Sequence, residues 1–317
     1  MNSAVIDMSP ARSTGGRWWG GARFMLKHAR VLVGAGVLLL IVVTCFVGLI
    51  WTLDEAHPLF YDSMFALDPE SPPTLNEQAK YFGTDDQGRS LLGRCLVGGT
   101  VSIAVGVAAA FISVVLGVGV GLMAGYNGGW VDAVLMRIVD VMYGLPYILM
   151  VIVLKIAFED ALDGVFTSRA TANLVILFFA IGLVSWLTMA RVVRGQVLSL
   201  RSQPFIEAAR ALGVPGHRIF FRHLLPNLVG PITVYATLTI PRAILEESFL
   251  SFLGIGIAAP MTTWGSLASE GLQPAYVGRW WMLVFPCSLL ALTLLSLNFV
   301  GDALRDRFDP RKDAAKI

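Results

Sequence analysis

The sequence predicts an all-α polytopic membrane protein with about six transmembrane helices. Two observations carry this reading. Of its 317 residues 56% are hydrophobic and only 15% are charged, whereas a soluble domain carries about 25% charged residues. The apolar residues also gather into long runs, and a helix needs roughly 20 such residues to cross the hydrocarbon core. Transmembrane β-strands are about 10 residues of alternating polarity, a pattern these runs lack.

The runs lie at about 31–53, 97–124, 134–157, 174–193, 228–250 and 281–300. Residues 1–30 form an arm carrying Arg12, Arg17, Arg23, Lys27 and Arg30. The first run is longer than the roughly 7–15 apolar residues of a signal peptide, so it is expected to stay as an anchor. Residues 54–96 form the next loop, where Asp54, Glu55, Asp62, Asp68, Glu70, Glu77, Asp85 and Asp86 outweigh Lys80, Arg89 and Arg94. Lys and Arg concentrate on the cytoplasmic side of a membrane. The basic arm, a basic segment between the fourth and fifth runs, and the basic tail 301–317 are therefore expected inside, and loop 54–96 outside.

Within loop 54–96, Thr84 and Gln87 fit a capping box, with Asp85 and Asp86 in the first helical turn, where the helix dipole favours anions. A metal site there would need more ligands in register. The second run holds Gly117, Gly121 and Gly125 at every fourth position, a spacing that lets another helix approach closely. Pro146, Pro231, Pro241 and Pro286 are expected to kink helices. Asp140, Lys155, Arg242, Glu246 and Glu247 are ionisable residues in or beside spans, where such groups are costly. Arg137 with Asp140, and Arg242 with Glu246, have spacings that allow local pairing. A proton relay or substrate contact is the functional alternative.

Segment 194–226 is polar and basic, with Arg194, Arg201, Arg210, Arg218 and Arg222. Pro204 suits a first helical turn. Phe205, Ala208, Ala209 and Leu212 follow a helical repeat and make one face apolar. Gly213 supplies a left-handed residue to end the helix. Pro215 is expected to start a second short helix and Pro226 to stop it. Glu207 and Arg210 are spaced to pair. Such a helix either lies on lipid headgroups or fits a groove in another protein.

Several chemistries lack their residues. Cys45, Cys95 and Cys287 show no metal or redox spacing and read as small apolar residues. His28, His57, His217 and His223 form no i, i+4 ligand pair. No G-x-x-x-x-G-K-[ST] occurs, so the chain has no phosphate-binding loop for ATP. A net charge of +2 gives no reason to expect nucleic acid as a partner.

Glu207-Ala208-Ala209, followed after three residues by Gly213 and then by Leu225-Pro226, resembles the EAA loop of bacterial ABC importer permeases. The stretches 83–94, 137–146, 183–201, 246–260 and 298–311 are similar to the second permease type of the dipeptide/oligopeptide/nickel branch. Tyr81-Phe82 departs from it, since many relatives carry His before the Gly-Thr-Asp. The resemblance implies a type I ABC importer permease fold in a bacterial inner membrane. It also implies a permease core over 97–300 with a coupling helix between spans four and five. Glu207, Ala208, Ala209, Arg210, Leu212, Gly213, Leu225 and Pro226 become candidates for coupling to ATPase subunits. Asp140, Glu246, Glu247, Asp85 and Arg89 become candidates for the pathway or its gate. The implied partners are a homologous permease chain in a heterodimer, two ABC ATPase subunits that hold ATP and Mg, and an extracytoplasmic binding protein. No cofactor and no covalent chemistry are implied for this chain, and di- or oligopeptides are the leading substrate class. The rival reading is a gradient-driven secondary transporter that uses Asp140 or Glu246 and Glu247.

Overall fold

A computed structural model describes residues 29–162, 169–257 and 259–308. Arg12, Arg17, Arg23, Lys27 and His28 of the arm, and Arg311, Lys312 and Lys316 of the tail, lie outside them. The described residues form helices α1 (Ala29–Thr52), α2 (Leu91–Asn127), α3 (Gly129–Tyr143), α4 (Tyr147–Leu162) and α5 (Arg169–Arg201). There follow α6 (Pro204–Ala211), α7 (Gly216–Ile219), α8 (Leu225–Phe252), α9 (Trp264–Tyr276) and α10 (Trp281–Phe308).

Among the described residues, five helical stretches are long and apolar enough to span a membrane. The third expected span differs. Its residues form α3 and α4, two helices bent by 98° at Gly144–Pro146, so that a sixth crossing exists only if the bent pair counts as one. Proline lacks the N–H that would continue the ladder and disfavours a helical residue before it, and here the break separates two helices rather than kinking one.

The body is organised around α2, which packs along α5 and also touches α8 and α1. Gly117, Gly121 and Gly125 bring α2 against α5 as their spacing predicts. A Cβ added at Gly121 would lie 2.6 Å from the Ala190 carbonyl oxygen. At Gly117 and Gly125 it would lie 2.5 Å from Met189 Cβ and 2.7 Å from Val197 Cβ. Cys45 and Cys95 are buried and Cys287 partly buried, all as free thiols.

The expected capping box at Thr84 does not form. Asp85 Oδ1 accepts the backbone N–H groups of Gln87 (3.0 Å) and Arg89 (2.8 Å), which folds 84–89 into a turn. The helix starts one turn later, where Ser90 caps α2 by accepting from Gly93 N. A reciprocal capping box does occur elsewhere, between Thr263 and Ser266 at the start of α9.

Candidate functional site

Three clusters contain the residues singled out by sequence. The first is the segment after α5. Gln203 is extended and Pro204 occupies the first turn of α6. Gly213 has φ +72°. The Val214 N–H bonds to the Ala209 carbonyl (3.0 Å) and the Gly213 N–H to the Arg210 carbonyl (2.9 Å). Together these bonds close α6 in a Schellman motif.

The predicted apolar stripe divides. Ala209 turns inward with Ile206 and packs against Ile219 and Leu224. Phe205, Ala208 and Leu212 face outward, with Phe205 45% and Leu212 82% exposed. The Glu207–Arg210 ion pair does not form among the described residues, and both side chains are exposed. Pro215 starts α7 as expected, its carbonyl accepting from Arg218 and Ile219. Pro226 does not end a helix. It sits with Leu225 at the start of α8. Residues Phe220–Leu224 form a π-helical stretch between α7 and α8.

The second cluster lines a cavity of about 380 Å³ at the α3–α4 break, between α5 and α8. Arg242 and Glu246 pair across one helical turn, as their spacing predicts, with Nε donating to Oε1 at 2.9 Å. Both line the cavity, as do Tyr143, Tyr147 and Tyr235. Glu247 does not. It is fully buried and accepts hydrogen bonds from Ser251 (2.6 Å) on its own helix and Ser102 (3.2 Å) on α2. One residue is about 100° of helix rotation, which sends adjacent carboxylates to different environments.

Asp140 pairs with Arg191 (2.8 Å) on α5, not with Arg137. The Arg191 guanidinium also lies over the Tyr143 ring, 3.8 Å from its centre. Asp132 and Arg194 form a two-pronged pair, with Nη2 donating to Oδ2 at 2.6 Å. These contacts fix α3 to α5. Lys155 donates to the carbonyls of Ile255 (2.7 Å) and Gly256 (2.9 Å), tying α4 to the chain beyond α8.

The third cluster holds Asp85 and Arg89. Asp85 Oδ2 accepts from Arg89 Nε (2.7 Å) and Arg94 Nη1 (2.8 Å), and all three residues are buried. Glu270 on α9 completes the set through a two-pronged contact with Arg94, its Oε1 accepting from Nη2 at 3.0 Å. Glu270 had no sequence signal, since 176 residues separate it from Arg94. Asp85 has its acceptors occupied by backbone and guanidinium donors, which is a structural knot.

The family whose model is described as "Binding-protein-dependent transport system inner membrane component" matches residues 117–314. The chain belongs to this family. The permease is 42% identical over 293 residues to the oligopeptide transport system permease protein OppC of Escherichia coli, covering 92% of this chain and 91% of that one. It is 41% identical to OppC of Haemophilus influenzae, covering 87% and 85%. It is 38% identical to the dipeptide transport system permease protein DppC of Bacillus subtilis, covering 91% and 84%. Among solved structures, a chain of the inward-facing MetNI methionine ABC transporter superposes with a TM-score of 0.55 at 19% identity. That match covers 69% of this permease and 98% of the other chain, and at such identity it speaks for the fold. The protein is thus a multi-pass inner-membrane permease subunit of an ABC importer. The gradient-driven alternative finds no support among these relatives.

Proposed function

We propose that this permease pairs with a homologous permease chain to enclose a pathway for di- or oligopeptides. In this reading both termini and the α6–α7 segment are cytoplasmic, and loop 54–96 faces an extracytoplasmic binding protein. Two ATPase subunits bind and hydrolyse ATP with Mg, and this chain holds neither nucleotide nor metal. The peptide substrate class follows that of the oligopeptide and dipeptide permeases named above, which align over most of their length. Orientation follows the Lys and Arg distribution.

The observation that carries the coupling role is the split face of α6. Ile206 and Ala209 anchor the helix to the body. Phe205, Ala208 and Leu212, with Glu207 and Arg210, face outward, and neither Glu207 nor Arg210 forms an ion pair among the described residues. That surface suits a cleft in an ATPase subunit. A ligand shifts a conformational equilibrium by its differential affinity for the two states. ATP favours the closed ATPase dimer, and a helix seated in its cleft moves with it. The movement carries the spans between inward-facing and outward-facing arrangements.

Gly213→Val and Glu207→Lys test the reading. A Cβ at Gly213 meets no neighbouring atom, so the valine costs only the strain of a left-handed residue, about 1–2 kcal/mol. Both variants are expected to reach the membrane folded while losing co-purification with the ATPases or ATP-dependent uptake. Uptake that persists after deletion of the ATPases and follows a proton gradient would sink the proposal.

A further inference from the structure

The cavity at the α3–α4 break carries one cation and one anion a single helical turn apart. Arg242 is the more open of the two, its side chain 63% exposed against 17% for Glu246. Leaving either charge unpaired within a membrane span is costly. A ligand bearing only one charge would satisfy one member and strand the other. A ligand bearing both signs can replace the pair at both ends.

The surroundings fit the middle of such a ligand. Tyr143, Tyr147, Tyr235, Ser185, Thr188 and Thr239 line the cavity wall with hydroxyls. Ser185 and Thr239 donate theirs to backbone carbonyls of their own helices, and Tyr143 and Thr188 share a hydrogen bond, so these oxygens serve mainly as acceptors for amide N–H groups. The Tyr147 hydroxyl is buried, and no hydrogen bond of ordinary geometry reaches it, although a buried polar group is normally satisfied. Between the hydroxyls stand apolar side chains such as Met142, Leu187 and Leu238, which accept varied substituents without demanding one. The volume of about 380 Å³ lies near the lower end of ligand pockets, roughly 300–1,000 Å³. The two charged groups stand 2.9 Å apart in their pair, and a zwitterion that parts them meets an opposite charge at each of its ends.

We propose that Arg242 and Glu246 form a subsite for short peptides with free ends, the guanidinium receiving the carboxylate and Glu246 receiving the ammonium. This deepens the peptide-importer reading and rests on it. The binding protein selects peptides before they reach this site, so the test alters the permease alone.

The chain is reconstituted in proteoliposomes with its partner permease, ATPases and binding protein, and ATP-dependent uptake of radiolabelled dialanine and trialanine is measured. Arg242→Gln and Glu246→Gln are each expected to lower initial uptake about tenfold or more, the size expected for losing a charged hydrogen-bond partner. Arg242→Lys should retain a large share of it. The reversed pair, Arg242→Glu with Glu246→Arg, keeps an ion pair and so protects folding. It is expected to assemble in normal amount and still import poorly. Full uptake by the reversed pair would show that any ion pair suffices and would overturn the subsite, as would unchanged uptake in both glutamine variants. A wild-type assembly that imports neither peptide would overturn the peptide-importer reading and this one with it. Wild-type import with indifferent variants would overturn the subsite alone.

Discussion

Two charged regions lie at opposite ends of the α2–α5 body and use their charges differently. At the start of α2, Asp85, Arg89 and Arg94 are buried and bonded to one another, and Glu270 closes the set from α9. At the end of α5, Glu207, Arg210, Arg218 and Arg222 are exposed, and none forms an ion pair among the described residues. The first region is finished within the chain, since Asp85 is the shared partner of two buried guanidinium groups. The second, with Phe205 and Leu212 also exposed, is a surface that another protein would complete. Similar residue types are thus satisfied within the chain at one end and left exposed at the other.

The largest expected effect comes from the finished end. Asp85→Ala leaves Arg89 and Arg94 buried without their common partner, and breaking a buried pair in this way costs about 3–5 kcal/mol. Thermal melting of the purified permease in detergent should show a large loss, or folded protein should not be recovered at all. Next comes the body that joins the two ends. Gly121→Leu drives a side chain into the Ala190 carbonyl and Val193 of α5, and overpacking costs about 1–3 kcal/mol or more. The same melting experiment reads this intermediate loss. The smallest effect is expected at the open end. Glu207→Ala and Arg210→Ala should each change stability by no more than about 0.5 kcal/mol, the range for exposed positions. A melting shift comparable to that of Asp85→Ala would break the contrast between the two regions.

Much of the fold is legible in the sequence because hydrophobic runs report burial and lipid contact directly. Five of the six expected runs coincide with long helices. The break in the third run was not legible. Pro146 announces a disturbance, but a 98° turn depends on what α3 and α4 pack against, and hydropathy carries no direction. The capping box at Thr84 misled for a local reason. Asp85 competes for the Gln87 backbone N–H with its own side chain and is held in place by Arg89 and Arg94. Periodicity found the apolar face of α6 but not which of its edges would meet the body, and Ile206, just outside the stripe, proved to be the anchor. Glu246 and Glu247 were indistinguishable as letters, and only their neighbours on other helices separate them. The Asp140–Arg191 and Arg94–Glu270 pairs join residues 51 and 176 positions apart, a relation no single-sequence pattern encodes.

The glycine stripe on α2 has a mechanical meaning. Helix α5 has 33 residues and is about 50 Å long at about 1.5 Å per residue. At the three glycines the backbone and first side-chain carbons of α5 lie directly against α2, which brings the two rods close together. A displacement of α6 at the end of α5 would find little slack along this part of the seam. It would be passed along the paired rods, which would then act as a lever. The short α6 is the place where force would enter, and the bend between α3 and α4, held to α5 by two ion pairs, is among the first places to feel it.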